Sequence, residues 1–295
     1  KQTYLEARPD GLYAMRPEYA TERMIEAAFT HRRTKADTTL RDNLYKLTSN
    51  VLFVRDANDA NKFHPRITAQ LNFAFQTLSE KDRTRFNRLY DDYYYRRNNY
   101  FWYREAMKKL PMLVEATRML VCAEDLGMVP DCVAWVMEKL RILSLELQQM
   151  PKEYGVQFGN LAHNPYRSVC TISTHDMPTL RQWWDEDPAR TQDYYSTVLY
   201  RHGDAPHPLP GWLAREIIER HLACPSMLCI LALQDWLAID ERLRLPDANA
   251  ERINIPADPH HYWRYRMHLD IDDLLADKGY NDTIKEMLAN GGRRV

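Results

Sequence analysis

The chain has 295 residues, of which 45% are apolar and 27% charged, proportions that are ordinary for a soluble globular protein. Its formal net charge of −1 gives no indication of a nucleic-acid partner, and no apolar run is long enough to span a bilayer. The 18 Tyr and 7 Trp suit either a carbohydrate-binding protein or large helical cores.

The first part of the chain is predicted to be mainly helical. Apolar side chains at helical spacing predict helices over residues 17–33, 38–48, 65–77 and 79–117, with Pro111 as a kink or break. A short β-branched run at 51–54 and a polar loop at 55–62 interrupt them. We therefore expect residues 1–118 to form a mainly helical insertion subdomain with barrel helices.

Residues 119–295 change to repeated strand–loop–helix units. Short apolar runs at 119–123, 142–147, 168–173 and 227–233 predict buried parallel strands, with helices at 188–201, 212–222 and 270–290 among them. Four such units make half of an eight-unit barrel. The predicted fold is α/β: the C-terminal half of a (β/α)8 TIM barrel, preceded by the helical insertion. Because a half barrel has open sheet edges, the other half is expected N-terminal to Lys1.

Polar residues follow the predicted strands, where catalytic groups of such barrels lie. Glu124 and Asp125 follow the first strand, His175 and Asp176 the third, and Gln234 and Asp235 the fourth. Helix capping is the alternative explanation for the aspartates. It is weaker for Glu124, because Glu is a poor N-cap.

Three segments carry a family resemblance. VCAEDLGMVP (residues 121–130) resembles the acid/base motif of glycoside hydrolase family 77, the 4-α-glucanotransferases. STHD (173–176), followed by two tryptophans, is similar to that family's THD segment, and ERINIP (251–256) resembles its last strand and sugar-binding loop. The match is to the larger subtype of Bacteroidetes-like bacteria and the plant cytosol. Met177-Pro178 and His261-Tyr262 depart from the shorter amylomaltases at sugar subsites.

The resemblance implies a retaining double displacement between α-1,4-glucans, which needs a carboxylate nucleophile and a carboxylic acid/base. By motif match Glu124 is the acid/base, Asp176 stabilises the oxocarbenium-like transition state, and His175 bonds the same sugar ring. The family's nucleophile lies in an Arg-x-Asp-His segment, which this sequence lacks. The chain alone is therefore expected to be inactive.

Further residues are expected to touch sugar by their place in the matched segments: Asn164, Gln148, Asn254, Pro256, Trp263 and Arg266. A packing tryptophan and a structural arginine remain alternatives for Trp263 and Arg266. The implied partners are maltooligosaccharides, α-glucans, glucose and the missing N-terminal half of the barrel. The oligomeric state, including a homo-oligomer, is left open.

Two other functions remain open: an α-glucan hydrolase of the same superfamily, and a non-catalytic glucan-binding protein. No cofactor is expected, since side chains supply the chemistry, and no metal site, since adjacent His260 and His261 have poor ligand spacing. The five cysteines show no CxxC spacing, which indicates buried reduced thiols and a cytoplasmic location.

Overall fold

The computed structural model describes residues 3–9, 11–32, 34–124, 126, 129–153 and 155–293. The chain divides into two units, Lys1–Asn99 and Tyr100–Val295. Both contain helices and strands. No helix of the described residues is long and apolar enough to cross a membrane.

The first unit combines helices with two short antiparallel hairpins. Its strands are β1 (Leu5–Ala7), β2 (Tyr13–Met15), β3 (Phe53–Arg55) and β4 (Phe63–Pro65), paired β1 with β2 and β3 with β4. Its helices are α1 (Glu22–Phe29), α2 (Lys35–Thr48), α3 (Phe73–Gln76), α4 (Glu80–Asp91), a π-helical segment (Asp92–Arg97) and the first residue of α5 (Asn99–Glu115). Single 3-10 turns lie at Pro17–Tyr19 and Ala69–Leu71.

Local capping explains where α2 begins. The Thr34 side chain accepts from the Asp37 amide, and the Asp37 carboxylate accepts from the Thr34 amide, so two otherwise unpaired N–H groups are satisfied. The apolar stripes of α1 and α2 then bury Ile25, Phe29 and Leu44 against each other.

Two helix predictions in this unit were wrong. Residues 65–77 do not form one helix, because Pro65 completes β4 and the Arg66 amide still bonds the Leu52 carbonyl across the hairpin. The stretch at 79–117 is interrupted by the π-helical segment, and Pro111 lies inside α5. In that segment the Tyr93 hydroxyl bonds His64 Nδ1 at 2.8 Å and the Tyr94 hydroxyl donates to the Pro65 carbonyl at 2.5 Å.

The second unit is built on a parallel sheet of β5 (Ser144–Leu147), β6 (Ser168–Thr171) and β7 (Leu228–Cys229), in chain order. The predicted strand at 119–123 adds a fourth segment through a parallel bridge between Cys122 and Leu143. Its helices are the rest of α5, α6 (Asp131–Leu140), α7 (Leu180–Glu186), α8 (Pro188–Thr197), α9 (Gly211–Leu222), α10 (Leu233–Leu237), α11 (Ile271–Ala276) and α12 (Lys278–Asn290). Short 3-10 turns lie at Leu161–His163 and Ala248–Glu251.

The core of this unit lies where α7, α8, α9 and α12 pack together. Trp184, Tyr194, Leu213, Ile217 and Met287 are each fully buried there. Burying a large apolar side chain is worth roughly 1.5–3 kcal/mol, so this cluster holds the helices around the sheet. β6 is buried along its whole length, so Val169 and Cys170, which point to opposite faces of the sheet, are both enclosed.

Three predictions in this unit need correction. The tail at 270–290 forms α11 and α12, because the Asp277 carboxylate accepts the Tyr280 amide at 3.0 Å and starts a new helix. The expected last strand at 251–256 is absent, since residues 252–270 of the described chain contain no strand. Among the cysteines expected to be buried, Cys122 is exposed.

Candidate active site

The residues predicted from strand ends lie at the same edge of the parallel sheet, where the strands have their carboxyl ends. Glu124 follows the bridged segment, Gln148 follows β5, residues 173–176 follow β6, and Gln234 follows β7 after a short run. Parallel strands bring their carboxyl ends to the same side, which is where ligands of such folds bind.

The densest polar cluster at this edge surrounds Asp176. Asn254 Nδ2 donates to Asp176 Oδ1 at 2.5 Å, and His175 Nε2 lies 3.4 Å from Asp176 Oδ2. The Asn254 amide also donates to the His175 carbonyl at 3.1 Å, which fixes the two segments backbone to backbone. The Asp176 side chain keeps 41% of its surface exposed, so a ligand can reach it.

Trp263 gives this cluster an apolar wall. Its ring lies 5.3 Å from the His175 ring at an angle of 44°, and 55% of the residue is exposed. An exposed indole beside a carboxylate and an imidazole offers a flat face and hydrogen-bonding groups together. This combination suits a polyhydroxylated ring.

Beneath the cluster lies a cavity of about 220 Å3 at the ends of β6 and β7. His175 and Met177 form part of its wall, together with Gln234 and Glu251. The loop that carries Asp176 therefore stands over an open space rather than over packed core.

The first clamp on that loop is the buried carboxylate of Asp235 in α10. Ser173 Oγ donates to Asp235 Oδ2 at 2.7 Å, and the Leu180 amide donates to Oδ1 at 2.8 Å. Burial raises the pKa of Asp235 to about 6, although both hydrogen bonds favour the ionised form. One side chain thus ties the residue before Thr174 to the start of α7.

A second clamp comes from Glu251. Its carboxylate accepts from Thr179 Oγ1 at 3.1 Å and pairs with the buried guanidinium of Arg181. Burial raises the pKa of Glu251, and Arg181 opposes that shift. Arg181 is held in turn by the Leu245 carbonyl at 2.6 Å. The two carboxylates fix both ends of the segment that presents Asp176.

Sequence reasoning noted the position of Asp235 and quoted Glu251 in a motif, but gave neither a role. Asp235 follows the apolar run at 227–233, and this position after a predicted strand is the signal that could have marked it. No local feature of the sequence marks Glu251, because its partners Thr179 and Arg181 are about 70 residues away.

Glu124 is exposed at the end of the bridged segment. That segment is held on one side, where the Ala123 amide donates to the Leu143 carbonyl at 2.8 Å. Asp125 and Gly127 of the same motif lie outside the described residues.

Four predicted sugar contacts do not join the Asp176 cluster. Gln148 is buried, donating to the Gly159 carbonyl at 3.1 Å and accepting from the Tyr194 hydroxyl at 2.6 Å. Asn164 bonds Ser226 Oγ at 3.1 Å, ahead of the amino ends of β6 and β7 and thus at the opposite edge of the sheet. Pro256 and Arg266 are exposed on the loop that carries Trp263.

The described residues contain no group of three or more His, Cys, Asp or Glu side chains that could hold a metal ion. His261 Nε2 instead bonds the Ile253 carbonyl at 2.9 Å, which supports the irregular segment before Asn254.

The family model described as 4-alpha-glucanotransferase, glycoside hydrolase family 77, matches residues 25–271. The chain belongs to this family. It is 37% identical over 286 residues to 4-alpha-glucanotransferase DPE2 of Oryza sativa subsp. japonica, covering 95% of this chain and 30% of the rice protein. The 4-alpha-glucanotransferase of Chlamydia trachomatis is 27% identical over 191 residues, covering 60% of this chain and 34% of that protein.

Among solved structures, the amylomaltase from Streptococcus agalactiae in complex with acarbose is similar with a TM-score of 0.47 and 17% identity, covering 63% of this chain and 34% of that one. The chain spans about a third of the length of the curated relatives named above. The range matched by the family model includes Glu124, the Asp176 loop and Trp263.

Proposed function

We propose that the chain carries two catalytic carboxylates of a 4-α-glucanotransferase, which moves α-1,4-glucan segments between maltooligosaccharides or glycogen-like glucans and glucose. The observation that supports this most directly is the Asp176–Asn254–His175 cluster beside the exposed Trp263, at the same sheet edge as Glu124. The family membership and the DPE2 relative agree with it.

Asp176 acts in this proposal on the sugar at the broken bond. The Asn254 side chain donates a hydrogen bond to one oxygen of Asp176. The carboxylate can still accept hydrogen bonds from two neighbouring sugar hydroxyls. Its negative charge stabilises the positive charge that develops on the ring in the transition state. His175 donates to the same ring, and Trp263 provides the apolar face under it.

Glu124 is the proposed general acid and base. It protonates the oxygen of the departing glucan and later takes the proton of the acceptor hydroxyl. Its exposed side chain at the sheet edge leaves room for a glucan to lie against it.

The nucleophile is proposed to come from a strand outside this sequence, because no Arg-x-Asp-His segment is present in it. The four parallel segments in chain order fit half of a (β/α)8 barrel, with residues 1–118 as helical insertion and barrel helices. The chain by itself is then inactive, and a location in the cytoplasm stays a prediction.

The remaining roles follow the same scheme. Asn254 and Trp263 lie in the cluster and are proposed sugar contacts, and Pro256 and Arg266 are proposed to flank the acceptor on the same loop. Gln148 and Asn164 have the least support as sugar contacts, because their side chains are hydrogen-bonded to Tyr194 and Ser226 within the protein.

Binding and product analysis test the proposal together. Calorimetric titration of the chain with acarbose is expected to show binding that Trp263→Ala weakens by about tenfold, in line with the loss of one aromatic contact. Trp212→Ala is the matched control, since Trp212 is also an exposed tryptophan, on α9. A longer form of the protein should convert maltotriose into a ladder of oligosaccharides. A rise in total reducing ends without a ladder would make it a hydrolase instead.

A further inference from the structure

Three cysteines of the second unit lie together, away from the Asp176 cluster. Cys170 of β6 and Cys229 of β7 are direct partners in the parallel ladder. Cys224, in the turn between α9 and β7, packs against Cys170 and Leu161. Cys170 is fully buried, Cys224 is 7% exposed and Cys229 is partly buried, so two of the three cysteines are enclosed.

The surroundings of Cys224 favour its thiolate. Contact with the neighbouring Cys170 thiol, opposed by burial and assisted by Ser226 and Arg293, lowers the pKa of Cys224 to about 5. The guanidinium of Arg293 lies 3.4 Å from Cys224 Sγ. Contacts with the Cys224 and Cys229 thiols, together with burial, raise the pKa of Cys170, which therefore keeps its proton.

Arg293 is fixed in this position by the backbone around Cys224. It donates to the carbonyls of Leu222 at 2.7 Å, Cys224 at 2.6 Å and Ser226 at 2.6 Å. Because these bonds hold the guanidinium in place, its charge stays beside the sulfur instead of turning to solvent.

A cavity of about 420 Å3 gives access to this sulfur. Cys224 forms part of its wall, together with Phe158, Gly159, Tyr200 and Arg220. Cys170 and Cys229 are not among the residues that line it. A small molecule that enters from solvent therefore meets Cys224 first, with Cys170 directly behind it.

We propose that Cys224 is a reversible thiol-modification site that reacts with hydrogen peroxide, with Cys170 as the resolving thiol. In the first step the Cys224 sulfur attacks one peroxide oxygen, the O–O bond breaks, and the departing hydroxide takes a proton to become water. In the second step the Cys170 sulfur attacks the sulfenic acid, the S–S bond forms, and its proton leaves with the hydroxide as a second water. Two thiols are oxidised and one peroxide is reduced to two waters.

Peptide mapping of the peroxide-treated chain tests this directly. Trypsin releases Cys170 in residues 168–181 and both Cys224 and Cys229 in residues 221–242. The expected product is a cross-link between these two peptides that a dithiol reductant removes. Cys224→Ser should abolish it, whereas Cys229→Ser and the control Cys132→Ser should retain it. A cross-link that survives Cys224→Ser, or its absence from the folded parent, would overturn the proposal.

Alkylation of the unmodified chain provides a test without mutation. At pH 6 iodoacetamide should label Cys224 at least ~10-fold faster than Cys132, because Cys132 is buried on α6 and its pKa is raised by that burial. Equal rates for the two cysteines would contradict the assignment. Neither test depends on glucan transfer, so a failure here leaves the proposed function untouched.

Discussion

The loop that carries Asp176 and the segment that carries Glu124 leave the same parallel sheet, but the chain holds them in different ways. Asp235 ties Ser173 at one end of the Asp176 loop to Leu180 at the other, and Glu251 holds the second end at Thr179. Glu124 is exposed, and the segment before it pairs through a single bridge at Cys122.

Under the proposed function, this difference matches two requirements of a transferase site. A group that stabilises charge in the transition state must be fixed in advance, since any reorganisation at that moment lowers its effect. A proton donor must instead reach the leaving oxygen of one glucan and later the hydroxyl of another. The clamped aspartate and the exposed glutamate match these two demands.

The largest expected effect is on the clamp. Glu251→Ala leaves Arg181 buried without its partner, which costs about 3–5 kcal/mol in the free energy of unfolding. Urea unfolding followed by tryptophan fluorescence measures it. Glu138→Ala, an exposed glutamate on α6, serves as control and should change stability by less than ~0.5 kcal/mol. Equal losses in the free energy of unfolding for Glu251→Ala and Glu138→Ala would contradict the role of Glu251 in holding the Asp176 loop.

A smaller effect concerns the pH dependence of stability. The pKa of Asp235 rises from 3.8 when unfolded to about 6 when folded, so its contribution is present below pH 3.8 and is lost as pH rises through 6. The loss amounts to about 3 kcal/mol. Asp235→Asn should remove this change of stability with pH. Its side-chain amide can still hydrogen-bond to the Leu180 amide and the Ser173 hydroxyl.

The measurement is the difference between variant and parent across pH 3.5 to 7, not the profile alone. Burial lowers the pKa of His221 to about 4, and protonation of that side chain destabilises the fold as pH falls. This opposite trend is common to both proteins and cancels in the difference. A difference that does not change with pH would show that folding does not raise the pKa of Asp235.

A third prediction concerns Asn254. Asn254→Ala removes the hydrogen bond to Asp176, so acarbose affinity should fall by roughly tenfold, which is about 1.4 kcal/mol. Asn249→Ala is the control, because Asn249 lies on the far side of Glu251, in the 3-10 turn. An unchanged affinity for Asn254→Ala would separate Asn254 from the ligand site.

The sequence predicted the parallel strands in their chain order, because strand-like runs are local patterns, but it did not predict the hydrogen bond between Asp176 and Asn254. It placed the end of α2 at Thr48 but began the helix at Thr38, three residues after its start at Lys35. The helix prediction at 65–77 failed because a contact with another segment decided the outcome: Pro65 pairs with Phe53 in the hairpin. The tail prediction failed at a local feature, since the Asp277 carboxylate accepts the Tyr280 amide three residues later and starts a new helix.

The side chains at the site show the same limit. Gln148 lies at a strand end as predicted. Its side-chain oxygen, however, accepts a hydrogen bond from the hydroxyl of Tyr194, which is 46 residues later in the chain. The clamp by Asp235 and Glu251 depends on partners about 55 to 70 residues away. Spacing along a chain of this kind does not reveal such pairs, because helices and loops of variable length intervene.

The most direct measurement uses a donor that needs no protonation. In a longer form of the protein that transfers glucan, Glu124→Gln should slow maltotriose transfer by about 10³-fold, the usual contribution of a general acid. With α-maltosyl fluoride as donor and azide as acceptor, neither step needs the acid or base, so this variant should recover most of the parent rate. Asp176→Asn should stay slow with both donors. Maltotriose transfer by Glu124→Gln near the parent rate would contradict the assignment of the acid/base.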